Sequence, residues 1–261
     1  MTTIRRGLVT VAALLLVTAC AAEAPQPAGP TPTGSAAAAA SPIAVFAAAS
    51  LTEAFTQIGT DFQTRSGSKV TFNFGSSATL ATQINAGAPA DVFAAASPAT
   101  MKTVTGTGGA SDPVDFVSNT LQIAVPKGNP GKITGLADFA DASKTIAICA
   151  PQVPCGAAAV KVFQAAKIVP KPDTLEADVK ATLAKVAADE VDAALVYRTD
   201  VISAPSDVEG IDFPEADKAV NTYPIAVLTQ SKTADIAQAF VDYVLSSDGQ
   251  AVLKKAGFAQ P

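Results

Sequence analysis

The stretch Ile43 to Phe55 constrains the fold of this chain more than any other. Ile43 to Ala47 reads as a short buried strand. It runs through the small residues Ala48, Ala49 and Ser50 straight into a helix. Leu51, Ala54, Phe55, Ile58 and Phe62 then fall on one helical face. Ser50 and Glu53 have the S-x-x-E spacing of a capping box. A strand that turns at once into a helix leaves free N–H groups at its C-terminal edge, where open α/β sheets bind anions. Any α/β domain can begin this way, so the turns that follow must decide.

The pattern recurs along the chain. Val70 to Phe74 is a strand that runs into Gly75-Ser76-Ser77-Ala78-Thr79, and Leu80 and Ile84 belong to the next helix. Asp91 to Ala95 is a third strand. A short helix, a loop at Gly106 to Gly109 and a strand near Val114 to Val117 follow. Those glycines lie in a loop rather than between a strand and a helix, so they make no dinucleotide site. Leu121 to Pro126 is an apolar strand. Thr145 to Cys149 is another, and its turn leads to a helix from about Ala157. Residues 177–188 put Val179, Leu183 and Val186 on one helical face. Asp192 to Tyr197 is a strand ending in an aromatic hydroxyl, Tyr223 to Leu228 is a further strand, and helices Thr233 to Leu245 and Ser247 to Ala256 close the chain. Strands alternating with helices predict a parallel α/β sheet.

Arg5 and Arg6 followed by the apolar run Leu8 to Val17 read as a secretion signal. The run is too short to span a membrane. Val17-Thr18-Ala19-Cys20 resembles a bacterial lipobox, so residues 1–19 are expected to be a lipoprotein signal peptide, with Cys20 carrying the lipid. Residues 20–42, rich in Ala, Pro, Thr, Gly and Ser, are expected to be a disordered tether. Removing 1–19 takes away two arginines and moves the net charge from −5 to −7. So acidic a chain is a poor partner for nucleic acid. Any anion site must therefore be local, built from dipoles and hydrogen bonds. Of three cysteines, Cys149 and Cys155 remain after lipidation of Cys20, and outside the cytoplasm such a pair is expected to form a disulfide. There is no histidine, which removes the usual general base and the Ser-His-Asp triad.

Three strand-to-helix turns present small or hydroxyl residues: Ser50, Ser77 and Cys155. A fourth helix begins near Val179, and Tyr197 sits at a strand end. No Lys or Arg lies in these turns. Each serine alone is more often a simple cap. Together they suggest a closed anion site of hydroxyls, backbone amides and helix N-termini. No carboxylate is expected among these donors.

These stretches resemble the molybdate-binding proteins of ABC importers. The resemblance is carried by Val45-Phe46-Ala47-Ala48-Ala49-Ser50-Leu51-Thr52, Gly75-Ser76-Ser77-Ala78-Thr79-Leu80 and Ile84 to Phe93. Val153 to Gly156, Ala194 to Tyr197, Tyr223 to Val227 and the C-terminal Ser247-Asp248-Gly249-Gln250 extend it over roughly residues 43–258. It implies an α/β, two-lobed periplasmic-binding-protein fold of type II, with two α/β domains joined by a two-strand hinge. It also implies molybdate, with tungstate as a further ligand, held by Ser50, Ser77 and Tyr197 hydroxyls and by N–H groups of Cys155 and Val179. Ser76 adjoins Ser77 and is the alternative second hydroxyl. Implied partners are a permease and an ATPase; no cofactor is implied. The expected protein is a monomer, lipid-anchored on the outer face of the cell membrane or periplasmic. Lobe I is expected at 43–120 plus 229–261, and lobe II, with the hinge strands, at 121–228.

Three other readings compete. Sulfate or another tetrahedral oxyanion fits the same donors. A hydrolase using Ser50 or Cys155 lacks a base and the G-x-S-x-G turn. A metal site is not supported by the spacing of Glu53, Asp91 and the other carboxylates.

Overall fold

The computed structural model describes residues 41–261. The expected signal peptide, Cys20 and nearly all of the tether lie outside the described residues. The folded chain starts with β1 (Ile43–Ala48), a 3-10 turn over Ala49–Leu51 and α1 (Thr52–Ser66). Then come β2 (Val70–Gly75), α2 (Ser77–Asn85), β3 (Val92–Ala94), α3 (Pro98–Thr105) and β4 (Val114–Asn119). After Thr120 the chain continues through β5 (Leu121–Pro126), β6 (Ile146–Cys149), α4 (Pro154–Ala166), β7 (Thr174–Glu176), α5 (Val179–Ala187), β8 (Ala193–Tyr197), α6 (Arg198–Ser203) and β9 (Val208–Ile211). It ends with β10 (Asn221–Val227), α7 (Ala234–Leu245) and α8 (Ser247–Lys255).

These strands make two five-stranded sheets, ordered β2-β1-β3-β10-β4 and β7-β6-β8-β5-β9. The β1 strand pairs parallel with β2 and β3, while β10 runs antiparallel to β3 and β4. In the second sheet β6 is parallel to β7 and β8, and β5 is antiparallel to β8 and β9. The sheets are therefore mixed, not the purely parallel kind that alternation predicted. The reason is the double crossing. A strand that re-enters a sheet from the neighbouring lobe arrives from the opposite end.

The crossings lie side by side, with Asn119 paired to Asn221. The chain leaves the first sheet at Thr120 and has returned by Asn221. Strand 221–227, which the sequence reading put with the second lobe as a hinge strand, hydrogen-bonds wholly within the first sheet.

Aromatic packing explains why the C-terminal helices return to the first sheet. Phe55 on α1 meets Phe116 at 5.9 Å and Phe240 on α7 at 6.0 Å between ring centroids. All three rings are buried, and truncating one such ring costs about 3–5 kcal/mol. The second sheet has its own core around Ile123, Phe139, Ile146, Val162 and Phe163.

The termini of α1 show what local sequence does and does not fix. Gly67 ends the helix at φ 72°, and its N–H reaches Gln63 O. The expected capping box at the other end is absent. Ser50 lies inside the 3-10 turn and makes no side-chain cap. Its Oγ instead bonds the Tyr223 hydroxyl at 2.9 Å, and Glu53 reaches Lys180 Nζ at 2.8 Å.

Candidate functional site

The C-terminal ends of β1, β2 and β3 in the first sheet face those of β6 and β8 in the second. Between them lies a cavity lined by Ala48 to Ser50, Gly75 to Ser77 and Ala96 from the first sheet. The second contributes Val153 to Cys155, Asp178, Val179 and Tyr197. Sequence analysis named Ser50, Ser77, Cys155, Val179 and Tyr197, and the structure brings all five to this one cavity. Each is buried. The centres of water-sized atoms have about 20 Å³ to occupy there, more than the 10–15 Å³ or so that one water needs.

Helix starts supply the backbone donors. The helix α4 begins at Pro154, not near Ala157 as its sequence suggested. Proline brings no N–H, so Cys155 and Gly156 carry first-turn amides that no carbonyl of their own helix can reach. Gly156 is required because a Cβ there would sit 1.9 Å from Ala150 O. The Cys149–Cys155 disulfide, with Cα atoms 5.8 Å apart, ties the end of β6 to this first turn. At α5, Asp178 caps with Oδ1, accepting Lys180 N–H and Ala181 N–H at 2.9 Å each. Val179 N–H is left over at the cavity wall.

Asp178 is a correction to the expectation that no carboxylate stands among the donors. It lines the cavity, but its cap bonds turn Oδ1 toward its own helix. No sequence signal announced it, because a helix cap and a cavity wall look alike in one dimension.

The hydroxyls are held from behind. Ser77 Oγ accepts Ala96 N–H at 3.0 Å. The Tyr197 hydroxyl accepts Asn221 Nδ2 at 2.8 Å, and the same amide donates to Ala96 O at 2.7 Å. Ser76 Oγ is buried with no hydrogen-bond partner. Ser76 and Ser77 therefore both line the cavity, differently supported. Burial above all, with the neighbouring Tyr223 and Asp200, raises the Tyr197 phenol well above the tyrosine range. Burial likewise raises Tyr223. Both stay protonated donors.

Outside the cavity, Lys180 joins the lobes. Its Nζ meets Glu53 Oε1 of α1 at 2.8 Å and Asp200 Oδ1 of α6 at 3.3 Å. Asp200 is fully buried, and its Oδ2 accepts Tyr197 N–H at 3.1 Å. Burial pushes its carboxyl up to about 6, with Lys180 pulling the other way. Sequence reading missed Tyr223, Asn221, Asp178 and Asp200; the first two act through partners distant in sequence, and the two aspartates look in sequence like ordinary helix-start carboxylates. Among the described residues no group of three or more Cys, Asp or Glu could hold a metal ion.

Two lobes of this topology around a cavity of hydroxyls and helix-start amides make a solute-binding protein of the type II periplasmic fold. The family description "Bacterial extracellular solute-binding protein" matches residues 43–259. The chain is 42% identical over 221 residues to the molybdate-binding protein ModA of Mycobacterium tuberculosis, covering 84% of this chain and 85% of that one. It is 29% identical over 225 residues to the putative ABC transporter substrate-binding lipoprotein YvgL of Bacillus subtilis, covering 83% and 85%. This chain belongs to the molybdate-binding protein ModA family of bacterial extracellular solute-binding proteins, a family without enzymatic activity. Among solved structures, the periplasmic molybdate-binding protein of Azotobacter vinelandii superposes with a TM-score of 0.71 at 21% identity, covering 84% of this chain and 99% of that one. The sulfate-binding protein SubI of Mycobacterium tuberculosis superposes at 0.76 and 15% identity, covering 84% and 87%. These two likenesses speak for the fold alone.

Proposed function

We propose that this protein captures molybdate between its lobes, for delivery to the permease and ATPase of an ABC importer. The observation that carries the reading is the cavity itself. It joins hydroxyls, those of Ser50, Ser77 and Tyr197 among them, to the helix-start amides of Cys155 and Val179, with no Lys or Arg in its lining. A sphere of its 20 Å³ has a radius of about 1.7 Å. That is room for four oxygens tetrahedrally disposed about one central atom. Charge-assisted hydrogen bonds and helix dipoles replace the hydration shell of such an ion. Tungstate, of the same shape and charge, is accommodated equally.

In this reading residues 43–119 with 221–261 and residues 121–219 move as two lobes about the paired crossings. Cys20 carries a lipid anchor on the outer face of the cell membrane. The lipoprotein relative supports that placement. The protein works as a monomer without a cofactor.

A second reading, sulfate, fits the same donor set, which does not separate one tetrahedral dianion from another. The test is a thermal-shift series with molybdate, tungstate, sulfate, phosphate and no anion. At a thousandfold excess over its dissociation constant, a ligand stabilises the fold by about 4 kcal/mol. Molybdate should do so. A shift with sulfate alone would transfer the reading to sulfate, and no shift with any anion would end it.

A further inference from the structure

Two of the four hydroxyls at the cavity accept from groups that can only donate. Ala96 N–H fills one side of Ser77 Oγ, and Asn221 Nδ2 fills one side of the Tyr197 hydroxyl. The orientation of the Asn221 amide is fixed because Nδ2 also faces Ala96 O, a pure acceptor. The third hydroxyl, Ser50, pairs with the Tyr223 phenol at 2.9 Å, a contact either oxygen could donate. The surroundings decide the direction. Tyr223 is fully buried, and the other polar groups near its phenol are Asn119 and Tyr197. The Asn119 carbonyl is taken by Thr120 N–H, and the Tyr197 oxygen is taken by Asn221. The phenol hydrogen therefore goes to Ser50 Oγ, since a buried donor left without a partner costs about 1–3 kcal/mol.

We propose that Tyr223 is a positioning residue that sets the Ser50 hydroxyl as a donor toward the ligand. A hydroxyl that accepts from the Tyr223 phenol does not turn its own hydrogen onto that donor, so the Ser50 hydrogen is left for the ligand. A fully deprotonated tetrahedral dianion meets a donor there. An anion that carries a proton, such as hydrogen phosphate, brings a donor where Ser50 already donates. Ser76, whose hydroxyl has no partner behind it, is the built-in contrast. Its rotor is free to donate or accept. This inference rests on the anion-binding reading above and adds a residue that orients one of its hydroxyls.

The experiment is a double-mutant cycle on the full chain, read by calorimetry. Tyr223→Phe is made in the wild-type, Ser50→Ala and Ser77→Ala backgrounds. The ring keeps its packing against Phe116, Tyr197 and Phe258, so the variant should fold, which near-ultraviolet circular dichroism checks. Dissociation constants are measured for hydrogen phosphate and for whichever of molybdate, tungstate and sulfate wild type binds most tightly. Tyr223→Phe should weaken that dianion about tenfold in the wild-type and Ser77→Ala backgrounds. It should have no further effect once Ser50 is alanine. The preference for the dianion over hydrogen phosphate should narrow by about the same factor. An equal loss with and without the Ser50 hydroxyl, or an unchanged preference, overturns the inference while leaving the anion-binding reading intact. A wild type that binds none of the three dianions overturns both.

Discussion

Replacing Lys180 by methionine isolates what the buried Asp200 carboxylate costs the fold. Its pKa of about 6, against an ordinary 3.8, arises because burial outweighs the attraction of Lys180 Nζ at 3.3 Å. That difference corresponds to about 3 kcal/mol against the folded state once the carboxyl is ionised. The sign follows from proton counts. Between 3.8 and about 6 the folded chain holds a proton that the unfolded chain has lost, so stability from this group falls as pH rises through that window. In wild type the fall ends near pH 6. Lys180→Met removes the opposing attraction, the pKa climbs further, and the fall continues. Proton uptake caps the extra cost at about 1.4 kcal/mol per pH unit above 6. The cap is therefore about 1.4 kcal/mol at pH 7 and about 3.4 kcal/mol at pH 8.5. Loss of the pair with half-exposed Glu53 adds under about 1 kcal/mol, the same at each pH. Urea unfolding of ligand-free protein at pH 6, 7 and 8.5 measures the gap between wild type and variant. It should widen with pH, and adding Asp200→Asn should remove the widening. A gap of constant size refutes the reasoning.

Three further outcomes are expected. Ser50→Ala and Ser77→Ala should each weaken molybdate binding by about 1.5–3 kcal/mol, the worth of a hydrogen bond to a charged oxygen; titration of folded variants that bind like wild type would reduce both serines to scaffold. Ser76→Ala removes a buried hydroxyl with no partner, so the ligand-free fold should gain up to about 1 kcal/mol in chemical denaturation, and a clear loss would reveal a partner for it. Exchanging Cys149 and Cys155 for alanine should lower stability by about 2 kcal/mol through lost loop constraint, while molybdate affinity falls less than in Ser50→Ala because the amide of residue 155 remains; an affinity loss as large as that of Ser50→Ala would show the disulfide itself sets the site.

Local patterns were legible where neighbours in sequence are also neighbours in space. The strand, small-residue turn and helix at Ile43 to Phe55, and again at Val70 to Ile84, carry their own periodicity. A strand leading into a helix start fixes where first-turn amides point, so Ser50, Ser77, Cys155 and Val179 could be nominated before any contact was known, and so could the disulfide. The short strands Thr174–Glu176 and Val208–Ile211 escaped because only one of their seven residues is buried, which leaves no apolar alternation to read.

Tertiary structure alone decided which partners these local units would find. It set β10 antiparallel in the first sheet, and it spent the Ser50 hydroxyl on Tyr223, 173 residues away, rather than on a helix cap. It also brought Asp178 to the cavity and set Glu53 against Lys180 across the cleft. Periodicity, caps and turns are encoded by residues a few positions apart, because the helix and the strand repeat over that distance. Hydrogen-bond partners and charge pairs across a cleft are set by how two sheets and their helices pack. No stretch of sequence contains that packing until the chain has crossed twice and closed.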